Sequence, residues 1–173
     1  MLLIHRFVNS TYRRSFVKGE KLKYFTREWW ASGGEDQSCV SAYSAYIASI
    51  KPKLSSGLAR LANGHLLHDA SLSRIINTVD EKQLKMYFVG WDEVFENKKQ
   101  IELCFDGVIR LNIDFPNDQD GGEGGMGDLG YYEIEMQKAG LFEARMLFSS
   151  SAEMQVIFRN VTVKSRKSKT TLQ

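Results

Sequence analysis

From Ile101 to Phe115 the chain alternates: Ile101, Leu103, Phe105, Ile109, Leu111, Ile113 and Phe115 take the odd positions, and Glu102, Asp106, Arg110, Asn112 and Asp114 the even ones. Side chains two apart leave a strand from the same face, so this run specifies a sheet element with one apolar and one polar side. It is too long for one flat strand of ordinary length. A weaker copy runs from Met154 to Val163, and both contain Phe-x-(Gly/Asn)-Val, at Phe105–Val108 and Phe158–Val161. Gly and Asn enter the left-handed backbone region most readily. In the second copy Met154, Val156 and Phe158 are even while Val161 and Val163 are odd, so one inserted residue near Asn160 repairs the slip. In the first copy a three-residue hairpin at Phe105–Gly107 competes, pairing Glu102 with Arg110 and Leu103 with Ile109. It would strand Phe105 at a tip, which favours a bent, bulged strand.

Helical periodicity comes before this run. Thr26 is placed to cap a short aromatic turn carrying Glu28 in Lys23-Tyr-Phe-Thr-Arg-Glu-Trp-Trp30. Its four aromatics dock it on a core; an exposed aromatic platform is the alternative. A helix is expected from Glu35 to Lys51, with Val40, Tyr43, Ile47 and Ile50 as its apolar stripe and Pro52 as its stop. Its small residues Ser41, Ala42, Ala45 and Ala48 suit a close approach to a sheet. A shorter helix covers Ser55–Ala62. Strands follow at 72–79, 84–90, 101–115, 132–136, 142–148 and 154–163, with a glycine-rich acidic loop over 116–130. The expected class is α+β, with N-terminal helices packed on a mostly antiparallel, bulged meander. Its parts are a basic extension, 1–22, one domain, 23–163, and a basic tail, 164–173.

The net charge of +2 hides a segregation. Residues 1–23 hold six Lys/Arg against Glu20, residues 164–173 hold Lys164, Arg166, Lys167 and Lys169 with no acid, and the body between is left at −7. Nucleic-acid binding calls for basic residues interleaved with aromatics on one folded face, so basic ends turn the reading away from it. An acidic body steers toward a basic protein partner. Cys39 and Cys104 are far apart without metal spacing, the expectation for reduced, buried thiols. No apolar run is long enough for a membrane helix, and Met-Leu-Leu-Ile-His-Arg lacks a signal-peptide pattern, which points to the cytoplasm.

Chemistry-bearing clusters are few. His65, His68 and Asp69 contain the His-Asp doublet of metal-dependent phosphohydrolases, but the only other histidine is His5; a packed His68 beside a turn residue Asp69 is the simpler reading. Asp118, Asp120, Glu123 and Asp128 invite calcium, yet an EF-hand alignment puts Pro116 at its first ligand position and Gly127 at its last. Glu133, Glu135 and Glu143 alternate with apolar residues and read as a wet sheet face, with Arg145 beside Glu143. No catalytic triad, dinucleotide fingerprint or cofactor motif appears.

Lys23–Trp29, Tyr43-x-x-Tyr-Ile-x-x-Ile50, Leu67-His-Asp-Ala70 and the pattern over Tyr131–Phe148 together make the chain resemble a family of bacterial domains of unknown function that opens on Lys-Tyr-Phe-Thr-(Lys/Arg)-Glu-Trp. The resemblance covers about 23–163 and implies no activity. The late strands are also similar to those of small immunity proteins encoded beside toxins. That analogy implies a non-enzymatic protein that neutralises a basic toxin by direct contact, through Asp114, Asp118, Asp120, Glu123, Asp128, Glu133 and Glu135. The alternatives are a metal-dependent hydrolase built on His65, His68 and Asp69, and a structural or regulatory domain that self-associates through a sheet edge.

Overall fold

The long alternating run does not lie flat in the computed structural model, which describes residues 22–62, 66–92, 96–115 and 125–167. Its halves are β3 (Lys98–Asp106) and β4 (Arg110–Asp114). Around them stand β1 (Ala70–Thr78), β2 (Gln83–Trp91), β5 (Asp128–Met136), β6 (Phe142–Phe148), β7 (Glu153–Phe158) and β8 (Asn160–Lys167). All pairings are antiparallel, in the order β4-β7-β6-β5-β1-β2-β3-β8. The expected meanders are β1-β2-β3 and β5-β6-β7.

β3 and β4 are consecutive in the chain yet lie near opposite ends of this order. Four residue steps, from Asp106 to Arg110, reach at most about 14 Å, whereas eight flat strands measure about 34 Å across. The sheet, open at β4 and β8, therefore curls far enough to bring its two ends within that reach. β7 and β8, separated only by Arg159, make the same passage. The two bent strands stay together round the corner. β4 pairs with β7 from Arg110↔Ile157 to Asp114↔Glu153, and β3 with β8 from Asp106↔Asn160 to Lys99↔Lys167. At the bend Ile109 N–H donates to the Ile157 carbonyl at 2.9 Å and Arg159 N–H to that of Asp106 at 3.0 Å.

Three residues, Gly107 to Ile109, stand between the paired Asp106 and Arg110 against two, Phe158 and Arg159, on the other strand, so the bulge is present and the hairpin is not. Gly107 has φ +65°, as the left-handed argument requires. Asn160 does not: it opens β8 in register with Asp106, and its side-chain oxygen accepts from Ser55 Oγ at 2.6 Å. The parity change of the second run is absorbed in the bend without a left-handed residue.

The inner face of the roll is the core: Leu84, Met86, Phe88, Ile101, Leu103 and Phe105 from one half, Ile134, Ala144, Met146, Phe148, Met154 and Val156 from the other. Phe158 meets Phe105 edge-on at 4.7 Å across the bend. The odd positions expected inside fail at the far end of the long run. Ile109, Ile113 and Phe115 are 54, 41 and 41% exposed, because β4 is an edge with β7 on one side only.

The helices are a minor part beside the sheet. α1 (Arg27–Ala31) is capped as expected, Thr26 Oγ1 accepting from Trp29 N–H. α2 (Gln37–Ile50) is capped by Asp36 and buries Tyr43 and Ile50; its small residues Ser41, Ala42, Ala45 and Ala48 face solvent, contrary to expectation. β5 meets β1 only at Leu129↔Ala70 and Asp128↔Ser71. Beyond that, the Tyr43 and Tyr46 hydroxyls accept from the Ile134 and Met136 N–H groups, each at 2.7 Å, so α2 supplies the partners a strand would have given. α3 (Ser56–Ala62) drives Leu58 and Leu61 into the core and lies against β8. β8 also takes up Lys164, Arg166 and Lys167, so the basic residues expected in a tail from 164 belong to the sheet as far as Lys167. Among the described residues no helix is long and apolar enough to cross a membrane.

Candidate functional site

The outward face of β1, β2, β3 and β8 carries an open cleft. Register aligns Arg74, Tyr87, Glu102 and Lys164 in one row across the four strands, and Val89, Gln100 and Arg166 in the next. These residues line a cleft of about 460 Å³ with Ser73 and Ser165. The Arg74 guanidinium lies 5.6 Å from the Tyr87 ring centre and the Lys98 ammonium 5.5 Å from that of Trp91, which is 40% exposed. Glu102 is the one acid in the cleft lining, 3.8 Å from Lys164, and Arg166 Nε donates to Gln100 Oε1 at 3.0 Å. Lys164 and Arg166 are exposed. Cys104 shares this face, in register with Lys85 and Thr162, and burial raises its thiol pKa. Both cysteines are free thiols, but half-buried rather than buried. The cleft thus presents cations and an aromatic face to solvent.

Basic residues and aromatics do interleave on this folded surface, where the basic residues from Lys164 to Lys167 were expected on a tail. The signal was present in Lys85, Tyr87, Val89 and Trp91, which alternate with the core residues of β2.

The other half of the roll holds the acids. The alternation assigns Glu133, Glu135, Glu143 and Arg145 to a wet face, yet Glu133, Glu143 and Arg145 are each 2% exposed. Residues 22–25 lie over them. Glu133 Oε1 accepts from the N–H groups of Tyr24 (2.6 Å) and Phe25 (2.7 Å), and Oε2 from that of Lys23 (2.9 Å). Glu143 accepts from Arg145 Nε (2.7 Å) and Nη2 (2.9 Å) and from the Gln137 and Gln155 amides (both 2.6 Å). Glu135 accepts from Arg145 Nη2 at 2.8 Å and from Lys23 Nζ. Burial works against the Glu135 charge, but the Lys23 hydrogen bond and the Arg145 cation outweigh it and hold the carboxyl below its ordinary range. Burial opposes the Arg145 charge too, and the Glu143 and Glu135 carboxylates outweigh it and raise its pKa. Removing one member of such a buried set costs about 3–5 kcal/mol.

The aromatic segment seals this clasp. Phe25 lies 5.5 Å from Tyr131 and 5.2 Å from Tyr43, while Trp29 and Trp30 meet Tyr131 edge-on at 4.9 and 5.5 Å. All four aromatics of Tyr24–Trp30 are half-buried, docked rather than displayed. Covered and bonded in this way, Glu133 is buried and Glu135 half-buried, and both carboxylates are engaged by residues of this same chain. Of the other acids expected at a partner surface, Asp114 and Asp128 are exposed, Asp128 accepting from Ser71 Oγ, and Asp118, Asp120 and Glu123 lie outside the described residues.

His68 shares a hydrogen bond of 2.9 Å with the Gly130 carbonyl through Nδ1, which must therefore carry the proton, and its Nε2 is 3.7 Å from Asp69 Oδ2. Asp69 has φ +55°, a turn conformation. His65 lies outside the described residues, and among those described no three His, Cys, Asp or Glu side chains gather to hold a metal. No protein-family model matches the chain, and no curated protein matches it either.

Proposed function

We propose that this chain is a non-enzymatic binding protein that works by direct contact, and that its contact surface is the cleft over β1, β2, β3 and β8. The observation that carries this reading is the register-aligned row Arg74, Tyr87, Glu102 and Lys164, which gives a rigid cleft cationic and aromatic walls. The ligand that fits is an extended acidic segment of a partner protein, its carboxylates on Arg74, Lys164 and Arg166 and its apolar side chains on Tyr87 and Val89. The finer reading is an immunity protein that neutralises a toxin in the cytoplasm by covering it. For this cleft to be the contact, the toxin must present an acidic patch; among the described residues, Asp114 and Asp128 are the exposed acids of the set expected to meet a basic toxin.

The test is co-expression and titration with the product of the adjacent gene. Binding that falls with added salt, and falls about tenfold or more in Arg74→Glu and Lys164→Glu, is expected. A neighbour that is neither toxic nor bound defeats the immunity reading. A single-stranded oligonucleotide that occupies the cleft in preference to any acidic peptide defeats the protein-partner reading.

A further inference from the structure

Three of the five large apolar side chains exposed among the described residues, Ile109, Ile113 and Phe115, belong to one short stretch. They lie in or beside β4, whose one strand neighbour is β7, so half of its backbone N–H and C=O groups face away from any described strand. Leu111 and Ile113 share the face on which β7 carries the buried Val156 and Met154, while Arg110, Asn112 and Asp114 share the other. Along this edge the residues read in a self-complementary order, with a cation at 110, an anion at 114 and Asn112 midway between them.

We propose that β4 pairs with β4 of a second copy of this chain, antiparallel about a two-fold axis through Asn112. That register sets Arg110 opposite Asp114 of the partner subunit, Leu111 opposite the partner's Ile113 and Ile109 opposite the partner's Phe115, each pair occurring twice. It covers all three exposed apolar side chains and pairs both edge charges. A centre one residue away sets Arg110 against Asn112 and loses both ion pairs, so side-chain chemistry selects the register as well as the strand. This surface is separate from the cleft, and either proposal stands without the other.

Sedimentation equilibrium of the full chain from about 1 to 300 µM tests it. The expected result is a rise from one to two chain masses. Arg110→Asp and Asp114→Arg each weaken the dimer by about tenfold or more, and the double variant, which restores opposite charges across the axis, recovers most of that loss. Ile113→Lys, at a position the monomer leaves exposed, also breaks the dimer while far-UV circular dichroism is unchanged. One chain mass across the range overturns the proposal. So does a dimer indifferent to both single charge reversals, or a double variant no better than either single.

Discussion

Gly57 sets two physical effects against each other. It sits in the first turn of α3, and by helix propensity alone Gly57→Ala stabilises by up to about 1 kcal/mol. The packing says otherwise. A Cβ at Gly57 would lie 1.8 Å from the Val161 carbonyl oxygen and 2.9 Å from its carbon. That oxygen is fixed in β8, where Val161 pairs with Phe105 of β3, so it does not swing away as a side chain would. α3 must therefore retreat by more than about 1 Å, and a gap of that size forfeits a quarter to a half of each dispersion contact. The side chains that lose contact are Leu58 and Leu61, 1 and 0% exposed. Overpacking of this kind costs about 1–3 kcal/mol. Set against the propensity gain, the net expectation is a loss of about 1–2 kcal/mol, or roughly 2–8 °C in Tm at this chain length. Urea unfolding followed by circular dichroism is the assay, with the midpoint falling and the slope unchanged. Ser56→Ala, exposed in the same turn, is the control and stays within about 0.5 kcal/mol of the parent. A Gly57→Ala protein as stable as the parent, or more so, refutes the close packing of α3 on β8.

Gly107→Val meets two obstacles, a φ of +65° and the Arg159 side chain, which a Cβ would approach to 2.8 Å, and is expected to lose about 1–3 kcal/mol in the same urea assay; an unmoved midpoint would remove the strained corner from the account. For Glu135, whose folded pKa is depressed below the ordinary 4.5, the unfolded chain binds the proton more readily, so stability present above pH 4.5 is lost as pH falls through the folded value. Glu135→Gln is accordingly less stable at neutral pH and shows a flatter decline in that acid window. A decline as steep as the parent's would mean that Lys23 and Arg145 do not hold this carboxylate.

The alternation at 101–105 and 154–163 was legible because those strands have one face in the core and one outside it. The roll was not, because nothing local tells Ile113 that β4 ends the sheet: the same residue type at Ile101 has β2 and β8 on either side and is buried. The clasp was misread for a related reason. Period two divides Glu133, Glu143 and Arg145 from the core residues between them, but it does not say what lies over them. The cover is the backbone of residues 23–25, and three N–H groups offered to one carboxylate leave no trace in side-chain pattern. Lys164 and Arg166 passed for a tail because basic residues crowd there, although Val161 and Val163 continue the alternation that pairs β8 with β3.

The two halves of the roll pose the same problem and meet it differently. On β5, β6 and β7 the outward rows join three glutamates to one arginine, and a bent stretch of the chain's own, residues 22–25, brings a further cation in Lys23 and lays backbone donors on Glu133. On β1, β2, β3 and β8 the outward rows join Arg74, Lys164 and Arg166 to the single Glu102, and no described segment of this chain crosses them. Balancing that face takes the opposite supplement, an extended segment bringing carboxylates. A segment laid there as residues 22–25 lie over the clasp would bury Tyr87 and Val89 and pair the exposed cations. The acidic partner proposed for the cleft is therefore the complement of a device this fold already uses once within itself.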